Sequence, residues 1–101
     1  MARFDVHAWP AGGGRRYALD VQADLLGYLR TRLVVPLVPL ADAPPPIRHL
    51  NPTVQIEGES YALLTQAMAS APTKALGETV ISLRGHEDNI KRALDILLTG
   101  L

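Results

Sequence analysis

Helical periodicity marks only the C-terminal end of this chain, and that limits the fold more than any other feature. From His86 onward apolar residues fall at Ile90, Ala93, Leu94, Leu97, Leu98 and Leu101, the 3, 4, 7, 8 spacing of one helical stripe. Gly85 is expected as the N-cap. Glu87 and Asp88 fall in the first turn, where the helix dipole favours anions. Glu87 with Lys91 and Asp88 with Arg92 are four apart in the favourable order, and Gly100 is the stop signal. At ~1.5 Å per residue, a helix over 86–98 is about 20 Å long. Its apolar stripe needs a surface to cover, which the preceding residues must supply.

Those residues read as strands. Phe4, Val6 and Ala8 alternate with Asp5, His7 and Trp9, and Tyr17, Leu19 and Val21 alternate with Ala18, Asp20 and Gln22. Ala11-Gly12-Gly13-Gly14-Arg15 between them predicts a hairpin with a glycine tip. Leu33-Val34-Val35 predicts a short strand stopped by Pro36, at an edge or strand end. Ala43-Pro44-Pro45-Pro46 lacks three successive amide donors and must be loop. Thr53–Ile56 and Ser60–Leu64 flank Glu57-Gly58-Glu59 as a second hairpin, and Met68–Pro72 and Glu78–Leu83 read as further extended segments. The expected architecture is α+β, mostly β: an antiparallel sheet followed by one C-terminal helix, in a single domain over residues 1–101.

Charge and composition narrow the function. Ten Lys and Arg balance ten Asp and Glu, so a binder that works through bulk attraction to nucleic acid is not expected, although a local basic patch is compatible. With no cysteine there is no disulfide, thiolate zinc site or cysteine nucleophile. Met1-Ala2-Arg3-Phe4-Asp5 has no apolar segment behind it, and the longest strongly apolar run, Leu33–Ala41, is interrupted by Pro36 and Pro39. A soluble, cytoplasmic protein is the expectation, with no membrane partner.

Catalytic motifs are missing. Gly12-Gly13-Gly14 lacks the Lys-Ser or Lys-Thr of a phosphate loop. His86-Glu87 starts like a zinc-protease helix, but Ile90 occupies the place of the second histidine. Gly58-Glu59-Ser60 departs from a nucleophile elbow at Ala62. His7, His49 and His86 share no local motif, so no metal or other cofactor is expected. Asp20 and Asp24 read as solvated carboxylates, one ending a strand and one in the following loop.

Asp20-Val21-Gln22-Ala23-Asp24 followed by Leu25 and Leu26, then Val35-Pro36-Leu37, resembles the CcdB family of type II toxins. The register continues without gaps from Leu50 to Leu101. It runs through Pro52, Val54 and Ile56, Glu59-Ser60, Met68-Ala69-Ser70 with Pro72, Gly77-Glu78, Val80 and Leu83, then Glu87, Ile90-Lys91, Ala93 and Gly100. The resemblance implies a homodimer with an SH3-like barrel or twisted antiparallel sheet plus the C-terminal helix. It implies no catalytic activity. It implies binding to the A subunit of DNA gyrase, trapping of the gyrase–DNA cleavage complex, and neutralisation by a CcdA-like antitoxin with a disordered C-terminal part. Operator DNA is contacted only through that antitoxin.

By the same resemblance, Leu25, Leu26, Glu87, Lys91, Asp95, Leu98, Thr99, Gly100 and Leu101 form the gyrase-binding set. Trp9, Arg15 and Arg16 fall where the first hairpin meets antitoxin. Two departures stand out: the family pattern has an aromatic pair where this chain has Leu98 and Thr99, and an amide residue where it has Asp95. At ~100° per residue from Ile90, Thr99 lies opposite the apolar stripe. An aromatic side chain there would serve a partner, in the family by stacking on a gyrase arginine. A cation–π contact contributes ~0.5–2 kcal/mol, so losing one per protomer of a dimer weakens binding about 5- to 1000-fold.

Read from the residues alone, Gly100 and Leu101 also fit a helix cap and a core-edge cover. Three functions therefore stand as expectations. The first is a gyrase-directed toxin, and the second a binding module that keeps its antitoxin but has lost gyrase poisoning. The third is an endoribonuclease of the MazF/Kid type, which shares the fold and would draw on Arg15, Arg16, Arg30 and Arg32 with His7 or Asp24.

Overall fold

The structure is a computed structural model that describes residues 2–10 and 17–100. The glycine tip at 12–14, Arg15, Arg16 and Leu101 lie outside the described residues. The described chain runs β1 (Asp5–Ala8), β2 (Tyr17–Asp20), β3 (Thr31–Pro39), β4 (Thr53–Ile56), β5 (Glu59–Leu63), β6 (Ala69–Pro72), β7 (Thr79–Ser82) and α1 (Glu87–Thr99), with short 3-10 turns between several of them. The strands form one antiparallel sheet in the order β4-β5-β3-β2-β1-β7, and β6 also pairs with β3. The α+β, mostly β architecture with a single C-terminal helix is as the sequence predicts.

β3 holds this sheet together, and it differs from the expectation. Pro36 does not stop it. The strand continues to Pro39, with Ala18 opposite Pro36 on β2. Its other edge is divided: Thr31–Val34 pair with β6 and Leu37–Pro39 with β5. Pro36 falls at the seam between those two ladders, where its carbonyl accepts from the Leu64 amide at 3.0 Å. A proline within a sheet is tolerated where no ladder bond needs its missing donor, and this seam provides such a place.

Two-residue periodicity sorts the side chains onto two faces. Val6 opposite Leu19 and Leu19 opposite Val35 point into the main core. There they meet Phe4, Val21, Leu37, Val54, Ile56, Tyr61 and Leu63. Strands as far apart in the sheet as β1 and β4 share this core, so the sheet curls on itself. Tyr17 and Tyr61 meet edge to face with ring centroids 5.2 Å apart. The β4–β5 connection is a tight turn through Glu57 and Gly58, both at positive φ (51° and 82°), the backbone signature of a hairpin turn whose twist matches its strands.

The other face is covered too, which the alternating pattern does not reveal. Ala18, Val34, Ala71 and Leu76 form a second cluster with Trp9 packed on it. Asp20 and Arg32 are buried as an ion pair, 0% and 2% exposed, with Arg32 Nε donating to Asp20 Oδ2 at 2.8 Å. Asp20 Oδ1 accepts from the Gln22 amide at 3.0 Å. Asp20 is therefore not the solvated carboxylate that the sequence suggests; its partner is twelve residues away on β3. His7 is also buried on this face, with Nδ1 3.2 Å from the Gly77 carbonyl oxygen and 3.4 Å from Thr79 Oγ1.

α1 closes the main core with Ile90 and Ala93, both 1% exposed, and Leu94 packs at the margin. Truncating a buried side chain such as Ile90 to Ala costs about 2–5 kcal/mol, so this stripe fixes the helix orientation. Among the described residues no helix is long and apolar enough to cross a membrane.

Removing one member of the buried pair leaves an uncompensated charge, which costs about 3–5 kcal/mol, whereas apolar replacement of both is tolerated. Arg32→Met is expected to lower the stability read by urea unfolding by that amount, and Asp20→Val/Arg32→Met to recover most of it. Equal loss in the single and double variants would contradict the pairing.

Candidate functional site

α1 is 13 residues long, and its burial is uneven along its length. Ile90 and Ala93 are buried, while Leu94, Ile96 and Leu97 are half-buried. Leu98 departs from the stripe that the sequence assigns it to: it is 68% exposed. At ~100° per residue it sits about 80° from Ile90, on the rim of the apolar face, and the sheet does not reach it.

The helix ends in an open cap. Gly100 adopts φ 76° and ψ 13°, and its amide donates to the Ile96 carbonyl at 3.0 Å. This left-handed C-terminal cap satisfies one of the last helical carbonyls. Thr99 is exposed, and its hydroxyl donates back to the Asp95 carbonyl at 2.6 Å, so the side chain is turned onto its own helix. Asp95, Thr99, Lys91, Arg92 and Asp88 line a shallow groove along the outer face of α1. The wheel's assignment of Thr99 to the solvent side agrees with the structure.

At the other end the start of the helix differs from expectation. Gly85 lies within a 3-10 turn, Arg84–His86, and His86 occupies the cap position without a side-chain cap bond. Glu87 and Lys91 do pair, Nζ to Oε2 at 3.0 Å. The hydrogen bond from Lys91 first, and its charge second, hold the Glu87 carboxyl below its ordinary range; partial desolvation opposes this, and Arg84 and Arg3 add smaller pulls. The Asp88–Arg92 pair is not formed: Arg92 Nη1 lies 3.3 Å from His49 Nδ1 instead.

Leu25 and Leu26 sit in the 3-10 turn Asp24–Leu26 and are 86% and 38% exposed. That turn is held by the Arg3 amide donating to Asp24 Oδ1 at 2.8 Å, and Arg84 Nη2 donates to the Arg3 carbonyl at 3.5 Å. The leucine pair is thus tied to the Glu87 end of α1. Leu98, Thr99 and Gly100 lie at the opposite end, ~18 Å away at 1.5 Å per residue. Within one chain the predicted residues form two exposed places, not one patch.

Trp9 is half-buried against Ala18, Val34, Ala71 and Leu76. Of the residues an endoribonuclease would draw on, His7 and Arg32 are enclosed, Asp24 accepts from the Arg3 amide and Arg30 is exposed. Among the described residues no group of three His, Asp or Glu is arranged to hold a metal ion. The sequence reading missed the His49–Arg92 contact, because its partners are 43 positions apart and carry no local signal.

Comparison with known proteins gives a family match and similar solved structures. A family model described as CcdB protein matches residues 3–100. Among solved structures, one described as an endoribonuclease in complex with its cognate antitoxin, from a mycobacterial species, is similar with a TM-score of 0.80 and 16% sequence identity, covering 100% of this chain and 96% of that one. At that identity the likeness is one of fold.

A carboxyl whose folded value is lowered stabilises the helix above its unfolded value, and that contribution is lost as the pH falls through the lowered value. Lys91→Met is therefore expected to move the Glu87 titration, followed by carboxyl carbon NMR, up toward the ordinary value of 4.5; an unmoved titration would contradict the assignment. Gly100→Ala, forced to positive φ, is expected to destabilise the chain by about 1–2 kcal/mol in thermal unfolding, and no loss of stability would argue against the left-handed cap.

Proposed function

The chain belongs to the CcdB family, and from that premise we propose a gyrase-directed member: a toxin of a toxin–antitoxin system that docks the C-terminal end of α1 on the A subunit of DNA gyrase and traps the cleaved DNA complex. It acts by binding, as a homodimer that presents two such ends, without catalysis of its own. A cognate CcdA-like antitoxin neutralises it in the cytoplasm and supplies any contact with operator DNA. The single observation that carries this reading is the exposed end of an otherwise anchored helix. Ile90 and Ala93 are enclosed, yet Leu98 is 68% exposed beside Thr99 and the Gly100 cap.

The physical case is one of pre-organisation. A helix held by its buried face presents its last turn in one orientation, so little ordering entropy opposes docking. Leu98 offers apolar area, and Lys91, Asp95 and Thr99 offer polar contacts on the adjoining face. Leu25 and Leu26 form a separate exposed apolar place.

An endoribonuclease needs a cationic groove and an accessible acid and base. Enclosure of His7 and Arg32 removes two of the groups that would supply them. The residue that sets potency in the gyrase reading is Thr99. It has no ring to offer a partner, and its hydroxyl is already bonded to the Asp95 carbonyl.

The test is gyrase supercoiling and DNA cleavage with purified protein. Trapped cleavage complexes are expected, and Thr99→Trp is expected to bind the A subunit about 5- to 1000-fold more tightly, from one cation–π contact of ~0.5–2 kcal/mol per protomer. Absence of binding and cleavage with every gyrase tried, the host's own included, would overturn the proposal. Should antitoxin still bind while gyrase is ignored, the chain is a binding module that has lost poisoning; RNA cleavage by the pure protein would make it a nuclease.

A further inference from the structure

A second feature of α1 lies away from its tip. Between the helix and the loop that precedes β4 is a polar notch of about 270 Å³, lined by His49, Pro52, Thr53, Asn89 and Arg92. Arg92 is four residues from Asp88 yet turns to His49, its Nη1 3.3 Å from the ring Nδ1. An arginine only donates, so Nδ1 is the acceptor and the neutral ring carries its proton on Nε2. Among the described residues no carboxylate forms an ion pair with this guanidinium, although Asp88 and Asp95 line the outer groove beside it. The notch therefore gathers a guanidinium outside any salt bridge, an imidazole N–H, an amide and a hydroxyl. Its inventory of donors suits an oxyanion.

The loop that carries His49 is pinned. Buried Asn51 donates through Nδ2 to the Leu63 carbonyl at 2.9 Å and to Gln66 Oε1 at 2.7 Å, and its Oδ1 accepts from the Ile47 amide at 2.9 Å. Thr65 Oγ1, also buried, donates to the Leu50 carbonyl at 2.6 Å. These bonds clamp the chain on both sides of His49 and hold it at φ 65°, a conformation that side-chain-bearing residues seldom adopt. Strain of this kind persists where the surroundings over-determine it, and functional sites are such places. Here the product is an exposed imidazole fixed against an arginine.

We propose that His49, Arg92, Asn89 and Thr53 form an oxyanion-binding site that takes a phosphate or carboxylate group. Arg92 supplies the charge and His49 Nε2 the directed donor. This site shares Arg92 with the outer groove of α1 but does not rest on the gyrase reading. It belongs to the first half of α1, ~9 Å or more along the helix axis from Leu98 and Thr99, and either can fail without the other.

The experiment is an NMR titration of the folded chain with two probes, inorganic phosphate and a blocked hexaglutamate peptide, following the ring nitrogens of His49 and the side-chain signals of Asn89 and Arg92. Saturable shifts at these groups are expected. Arg92→Gln and His49→Gln are each expected to weaken binding about tenfold or more while leaving the thermal midpoint near that of the parent. Tighter binding of the peptide would identify a protein carboxylate as the occupant and phosphate binding alone a free oxyanion; both support the site. Lack of saturable shifts with either probe would overturn it. So would equal weakening by Arg48→Gln, at an exposed arginine that does not line the notch, since this would reduce the effect to surface charge.

Discussion

The whole architecture depends on β3 being paired along both edges. β2 occupies one edge, while β6 and β5 share the other. A nine-residue strand with two neighbours on a single edge cannot stay flat, because each neighbour follows its own twist. The sheet curls, and β1, β2, β4 and β5 come to surround one core. Pro36 sits at the seam where the edge changes partner and so removes no ladder bond. The Asp20–Arg32 pair reinforces the same strand on its second face, where a lone charge would be costly.

The proposed function depends on where this rigidity ends. α1 is anchored by buried Ile90 and Ala93 with Leu94 packed at the margin of the core, while in its last turn Leu98 emerges into solvent. Gly100 then terminates the helix with its amide bonded back to the Ile96 carbonyl. The proposed docking end is thus a by-product of fold geometry: a stiff element with its free end outside. The same rigidity fixes Arg92 on the helix opposite a clamped loop, which is why a polar notch exists there.

Legibility in the sequence tracks the range of the interactions. The helix stripe and the Glu87–Lys91 pair are contacts over three or four residues, and periodicity exposes them. So is the outward direction of Thr99. The second hairpin is equally local: Glu57-Gly58 needs only two residues to turn. By contrast, the continuation of β3 through Pro36 depends on which strands arrive on its edge, and Pro36 by itself reads as a stop. Asp20 reads as a solvated strand end because Arg32, its partner, is set beside it only by the β2–β3 pairing. The exposure of Leu98 is half legible, since the stripe includes it and only the length of the sheet decides that it protrudes. Leu25 and Leu26 can be recognised as aliphatics of a family pattern. Their attachment to the Glu87 end through Arg3 and Arg84 cannot be read from spacing.

Contact between the free end of α1 and gyrase is the central claim, and amide hydrogen exchange measured with and without the gyrase A subunit tests it most directly. Slowed exchange over residues 95–100, together with residues 24–26, is the predicted result. Unchanged exchange in that last turn, with protection confined to other strands or loops, would contradict it.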